Sequence, residues 1–143
     1  REALRVLKPG GKLIFTCWDQ LDANPVAAAT QRVVKRFFPE DTPAFYTVPF
    51  AYHDRGLIRE EVLTAGFVRT DLRLAEMIGS ASTADAAATG LLEGSPIHTA
   101  IVDRDPLLLP AMRTELEARL TTQFGRVDLR VPLSAWAVEA RMK

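Results

Sequence analysis

The sequence predicts an α/β fold, with helices laid between strands. Three observations carry this. Residues 5–18, RVLKPGGKLIFTCW, read as a helix end, a Pro-Gly-Gly turn and an apolar strand. Residues 68–74 alternate: Val68, Thr70, Leu72 and Leu74 one way, Arg69, Asp71 and Arg73 the other. That is a half-exposed strand whose charges protect a sheet edge. Residues 131–142, VPLSAWAVEARM, carry apolar side chains on both faces, which predicts an interior strand. An interior strand that comes last enters a sheet only by inserting between two earlier ones.

The elements follow in order. Leu4, Val6 and Leu7 give an apolar side to a short opening helix that no Ser, Thr, Asp or Asn caps. Pro9 stops it, because the residue before a proline is pushed out of the α region. Gly10 and Gly11 allow the positive φ of a tight turn. Lys12 to Trp18 then runs nearly without polar breaks, as suits a strand covered on both faces. The glycine pair precedes that strand instead of linking strand to helix, which argues against a phosphate loop.

Asn24-Pro25 predicts an N-cap followed by proline at the first helical position. Val26, Thr30, Val33, Val34 and Phe37 recur at helical spacing until Pro39. Residues 39–53, rich in proline and aromatics, predict an irregular segment. Asp54 caps a helix through Ala65, with Ile58, Val62 and Ala65 on one face, and Gly66-Phe67 forms its left-handed end. Ser82 or Thr83 caps an Ala-rich helix ending near Gly94, and Ser95-Pro96 starts a further short turn. Residues 103–124 predict an amphipathic helix on Leu109, Met112, Leu116, Leu120 and Phe124, stopped by Gly125.

Composition narrows the function classes. The 143 residues suffice for one domain with a real core. Eighteen basic residues balance eighteen acidic ones without forming a stripe, so nothing favours nucleic acid or anionic lipid. The single cysteine, Cys17, excludes an internal disulfide and fits a reducing, cytoplasmic compartment. No apolar segment approaches the roughly 20 residues of a membrane span. Two histidines, His53 and His98, without an acidic cluster, argue against a metal site.

Taken in order, these features resemble the class I S-adenosylmethionine-dependent methyltransferases, in particular the small-molecule branch of ubiquinone and menaquinone biosynthesis. The resemblance rests on Arg1-Glu2-Ala3, Arg5-Val6-Leu7, Pro9-Gly10-Gly11 and Leu13, which in that family end the fourth helix and begin the fifth strand. It rests also on Leu63-Thr64-Ala65-Gly66-Phe67, similar to the L-x-x-AGF helix end before strand six, with one residue fewer between Leu and Ala. The last strand would be strand seven, antiparallel between strands five and six.

The resemblance implies a partial Rossmann-like fold. Its sheet would be mixed and three-stranded, in the order five, seven, six, with helices on its faces and a helical insertion before the last strand. The 143 residues would be the C-terminal portion of the methyltransferase domain, without its cofactor-binding half. No glycine loop after a strand and no ribose-binding acid can be placed, so no residue is assigned to S-adenosylmethionine and none to catalysis. The chain alone is expected to be inactive.

In open α/β sheets ligands sit beyond the carboxyl ends of strands. For the first strand that is Thr16, Cys17, Trp18 and Asp19. Trp18, Phe38, Phe45, Phe50 and Tyr52 are the candidates for lining an apolar pocket for a small-molecule acceptor, with ordinary packing as the competing reading. Tyr46, in the same aromatic segment, shares that reading of pocket lining or ordinary packing. His53 reads as a pre-helix polar residue or a general base, His98 as surface, and Glu60-Glu61 as a solvated face. Without a strand four, Lys12–Trp18 would be an open apolar edge, which predicts a homodimer by edge pairing or element exchange.

Overall fold

A computed structural model describes residues 1–143. Its elements are α1 (Glu2–Val6), β1 (Lys12–Trp18), α2 (Pro25–Phe37), α3 (Val48–Ala51), α4 (Arg55–Thr64), β2 (Arg69–Thr83), α5 (Ala84–Glu93), α6 (Ile97–Val102), α7 (Leu109–Phe124) and β3 (Val127–Arg141). The chain is α/β, and no helix is long and apolar enough to cross a membrane.

The sheet order is β1-β3-β2, so the last strand does lie between the two earlier ones. β3 pairs with β1 antiparallel, in register from Lys12 opposite Arg141 to Trp18 opposite Ala135. Val68 N–H donates to Arg141 O and Ala84 N–H to Arg126 O, both at 2.9 Å, so β2 is antiparallel to β3 as well. The expected mixed sheet is therefore corrected to an antiparallel one. β1 and β2 run the same way but are not hydrogen-bonded to each other, because β3 lies between them.

Two compact units divide the chain: residues 1–20, 49–76 and 134–143 form the first, residues 21–48 and 77–133 the second. In the first, the core is Ile58, Val62, Phe67, Leu72, Val138 and Ala140. Leu4 and Leu7 from the opening helix and turn, and Leu13, Phe15 and Cys17 from β1, pack against it. Val6 is exposed, so the opening helix buries a narrower side than Leu4, Val6 and Leu7 together predict.

Asp54 caps α4, its carboxylate accepting Leu57 N–H at 2.8 Å. Beyond Thr64 the chain closes a Schellman turn: Gly66 N–H donates to Leu63 O at 3.0 Å and Phe67 N–H to Val62 O at 3.4 Å. Gly66 has φ +112° there, and a Cβ would lie 2.8 Å from Leu4 Cδ2. The glycine thus serves both the turn and the packing of the opening helix.

β1 departs from its expected burial on both faces. Leu13, Phe15 and Cys17 are half-buried against the core, whereas Lys12, Ile14, Thr16 and Trp18 alternate with them and are exposed. Ile14 is 61% and Trp18 40% accessible. A continuous apolar run fixes strand identity, but it cannot say whether a second layer is there to cover it.

In the second unit, α2, α5, α6 and α7 supply a core that includes Val33, Val34, Ala88, Leu92, Ile97, Ile101, Met112, Leu116 and Leu120. Pro25 stands at the start of α2, and the Asn24 carbonyl accepts Ala28 N–H at 3.0 Å. Thr83 caps α5 by accepting Ala86 N–H at 3.0 Å. α7 starts at Leu109, after a 3-10 turn over Pro106–Leu108 capped by Asp105, and not at residue 103. β2 outruns its predicted 68–74 span to reach Thr83, because Gly79-Ser80-Ala81-Ser82 offers no apolar alternation for a sequence reading to follow. β3 likewise begins at Val127 instead of residue 131.

Candidate functional site

The end of β1 brings Trp18 onto Phe50. The ring centroids are 5.5 Å apart with an interplanar angle of 27°, a stacked pair. Phe50 is buried and Trp18 is not, so the indole has one side on the protein and accessible surface left over. Asp19, the next residue, is pinned to β3. Its backbone N–H donates to Ser134 O at 3.1 Å, and its Oδ2 accepts from Ser134 Oγ at 2.9 Å. Asp19 Oδ1 also accepts Gln20 N–H at 2.8 Å. The carboxyl end of β1 is thereby held by backbone and side-chain bonds together.

Tyr52 packs against the first unit's core beside Cys17 and Trp136. Burial, then the hydrogen bond and negative charge of Glu61, push its phenol up to about 12. It is neutral throughout the physiological range and offers a proton, not a base. Burial, and then the charge of Asp19, also push the Cys17 thiol up. That keeps it protonated, the opposite of what a nucleophilic cysteine needs.

His53 Nδ1 lies 2.7 Å from Phe50 O. A carbonyl only accepts, so Nδ1 carries the proton, and in the neutral ring Nε2 is left as an acceptor. The Arg55 guanidinium carbon stands 5.9 Å from the centroid of the Trp136 ring. Trp136 Nε1 is buried with no acceptor, a donor left unpaired inside the core. No group of three or more His, Cys, Asp or Glu side chains is placed to hold a metal ion.

The five aromatic candidates divide between the two units. Trp18, Phe50 and Tyr52 belong to the first, and Trp18 and Phe50 are in direct contact. Phe38 and Phe45 belong to the second. Phe38 ends α2, its N–H donating to Val34 O at 2.9 Å. Phe45 sits edge-on to Tyr46 at 4.9 Å between centroids. Tyr46 is the anchor of that segment: it is buried, and its hydroxyl donates to Leu91 O at 3.1 Å. From the sequence, Tyr46 counts among the aromatics that could line a pocket, with packing as the alternative, and the structure buries it as packing. Sequence reasoning passed over Trp136, although a lone aromatic in a predicted interior strand was a usable signal.

The open side of the sheet is charged as well as apolar. Ile14, Asp71, Arg73, Ala137, Val138 and Glu139 line a shallow depression of about 210 Å3. Arg73 pairs with Asp71 at 3.0 Å, and Lys12 reaches Glu139 at 3.3 Å. Exposed pairs of this kind contribute little stability, but they leave no lone charge to capture an ion.

No family model matches the chain, and no curated protein is significantly similar to it.

Proposed function

We propose that this chain is the acceptor-side, C-terminal half of a class I, Rossmann-like S-adenosylmethionine-dependent methyltransferase that acts on a small, partly apolar molecule. The observation that carries the reading is the strand order. The last strand inserts antiparallel between the first and second, as the resemblance of the opening motif and of the Leu63–Phe67 helix end requires. The unpaired edge of β1 and its accessible Ile14 side add support, since a further strand would pair with the edge and a helix layer would cover the face.

Methyl transfer is an in-line displacement in which alignment of donor and acceptor supplies most of the rate. The part of this chain is then to present the acceptor. The Trp18–Phe50 stack gives an apolar platform at the carboxyl end of β1, and the Asp19–Ser134 bonds fix that end against β3. No residue is assigned to the cofactor, and the chain alone is read as inactive.

The test is a methyl-transfer assay on a polypeptide that carries these 143 residues together with a cofactor-binding segment. The reading expects Trp18→Ala to raise KM for the acceptor about tenfold while the affinity for S-adenosylmethionine stays unchanged, a loss of about 1.4 kcal/mol in acceptor binding. Unchanged acceptor kinetics in Trp18→Ala would remove Trp18 from the site. Absence of methyl transfer to any small acceptor would remove the reading itself.

A further inference from the structure

We infer that the free edge of β1 pairs with the same edge of a second copy of this chain, about a twofold axis at Phe15. The pairing is proposed for the 143-residue chain by itself; in a larger methyltransferase sheet a further strand would take the same edge.

Antiparallel geometry determines which backbone groups face that edge. Asp19 N–H donates to Ser134 O, and Met142 N–H donates to Gly11 O. Both bonds fall on the register that sets Phe15 opposite Val138 and Cys17 opposite Trp136. Odd-numbered residues of β1 therefore spend their backbone groups on β3, and the amides and carbonyls of Lys12, Ile14, Thr16 and Trp18 point outward. β1 has β3 as its one neighbour in the sheet, so this outward row is unpaired.

The two edges of the sheet are guarded differently. β2 carries Arg69, Asp71, Arg73 and Glu76 along its first half. β1 carries a single charge, Lys12, in seven residues and no proline. A charged edge resists pairing, and an apolar one invites it.

Self-pairing about Phe15 uses all four outward residues at once. Lys12 comes opposite Trp18 of the partner subunit, and Ile14 opposite Thr16 of the partner subunit. The ammonium group is then placed beside an accessible indole, a favourable contact for both. No like charges face each other across the axis, as they would if Lys12 met its own copy. Shifting the register by two residues in either direction drops one of these pairs. The interface is isologous and closed, so it consumes the edge and stops at a dimer. A methyltransferase's cofactor-binding half would compete for the same edge, so the species to measure is the 143-residue chain itself.

Sedimentation equilibrium on three proteins decides the matter. The native chain should sediment at twice its 15.8 kDa mass. Ile14→Lys with Thr16→Lys should give a monomer, because lysines would face each other across the axis. Ile14→Lys with Thr16→Glu should keep the dimer, because opposite charges would then face each other. Both positions are exposed, so circular dichroism should be the same for all three. A native chain that stays monomeric at millimolar concentration overturns the inference. So does a dimer in all three proteins, or a monomer in both variants.

Discussion

The Trp18 indole stacks on the Phe50 ring at 5.5 Å between centroids, with its partner buried and its own surface 40% accessible. This asymmetry separates stability from recognition. Phe50→Ala should destabilise the chain by about 3 kcal/mol, the usual cost of emptying a buried phenylalanine site. Trp18→Ala should cost about 1 kcal/mol, mainly the lost ring contact. Urea denaturation of the two variants checks the difference.

Two glycines should respond in opposite directions to alanine. Gly66 holds φ +112° with Leu4 Cδ2 2.8 Å from the site of a Cβ, so Gly66→Ala should cost roughly 1–2 kcal/mol. Gly90 lies inside α5 with nothing within 4 Å of a Cβ, so Gly90→Ala should stabilise by about 0.5–1 kcal/mol. Thermal melts of both variants give the two signs in one experiment.

Alkali should unfold the chain partly through Tyr52. Its pKa rises from about 10 in the unfolded chain to about 12 in the folded one, through burial and then Glu61. The folded state thus holds the proton more tightly. The stability this brings is complete below pH 10 and is lost as pH rises toward 12. In Tyr52→Phe that part of the decline should vanish, which denaturant midpoints measured across the interval would reveal.

Acid should act on Glu115 in the reverse sense. Burial pushes its carboxyl up, but the bonds from Arg119 at 2.8 Å and Arg36 at 3.0 Å outweigh this, so the net shift is downward. A lowered folded pKa gives stability that is present above about pH 4.5 and lost as pH falls below it. Glu115→Gln should be less stable by about 0.5 kcal/mol at neutral pH, with the gap closing in acid.

Much of the fold was legible because its punctuation is local. Pro9, Asp54, Gly66 and Thr83 each act through their own backbone geometry or a bond within the adjoining turn, and each ends or starts an element where expected. The insertion of the last strand was legible from apolar residues on both its faces. The second half of β2 was not, since Gly79 to Ser82 owes its strand form to pairing with distant β3 and not to its own pattern. The bare side of β1 was equally hidden, because Ile14 has the same letter whether or not a layer covers it. Of the candidate site, the contact between Trp18 and Phe50 depends on the path of residues 39–53, which no periodicity describes.

Calorimetric titration with S-adenosylmethionine bears most directly on the proposed division of labour, run once on the 143-residue chain and once on the longest polypeptide its reading frame encodes. The account predicts no binding to the 143 residues and binding to a polypeptide that adds a glycine-rich loop after a strand. Micromolar binding to the 143 residues alone, or no binding to such a polypeptide, would contradict it.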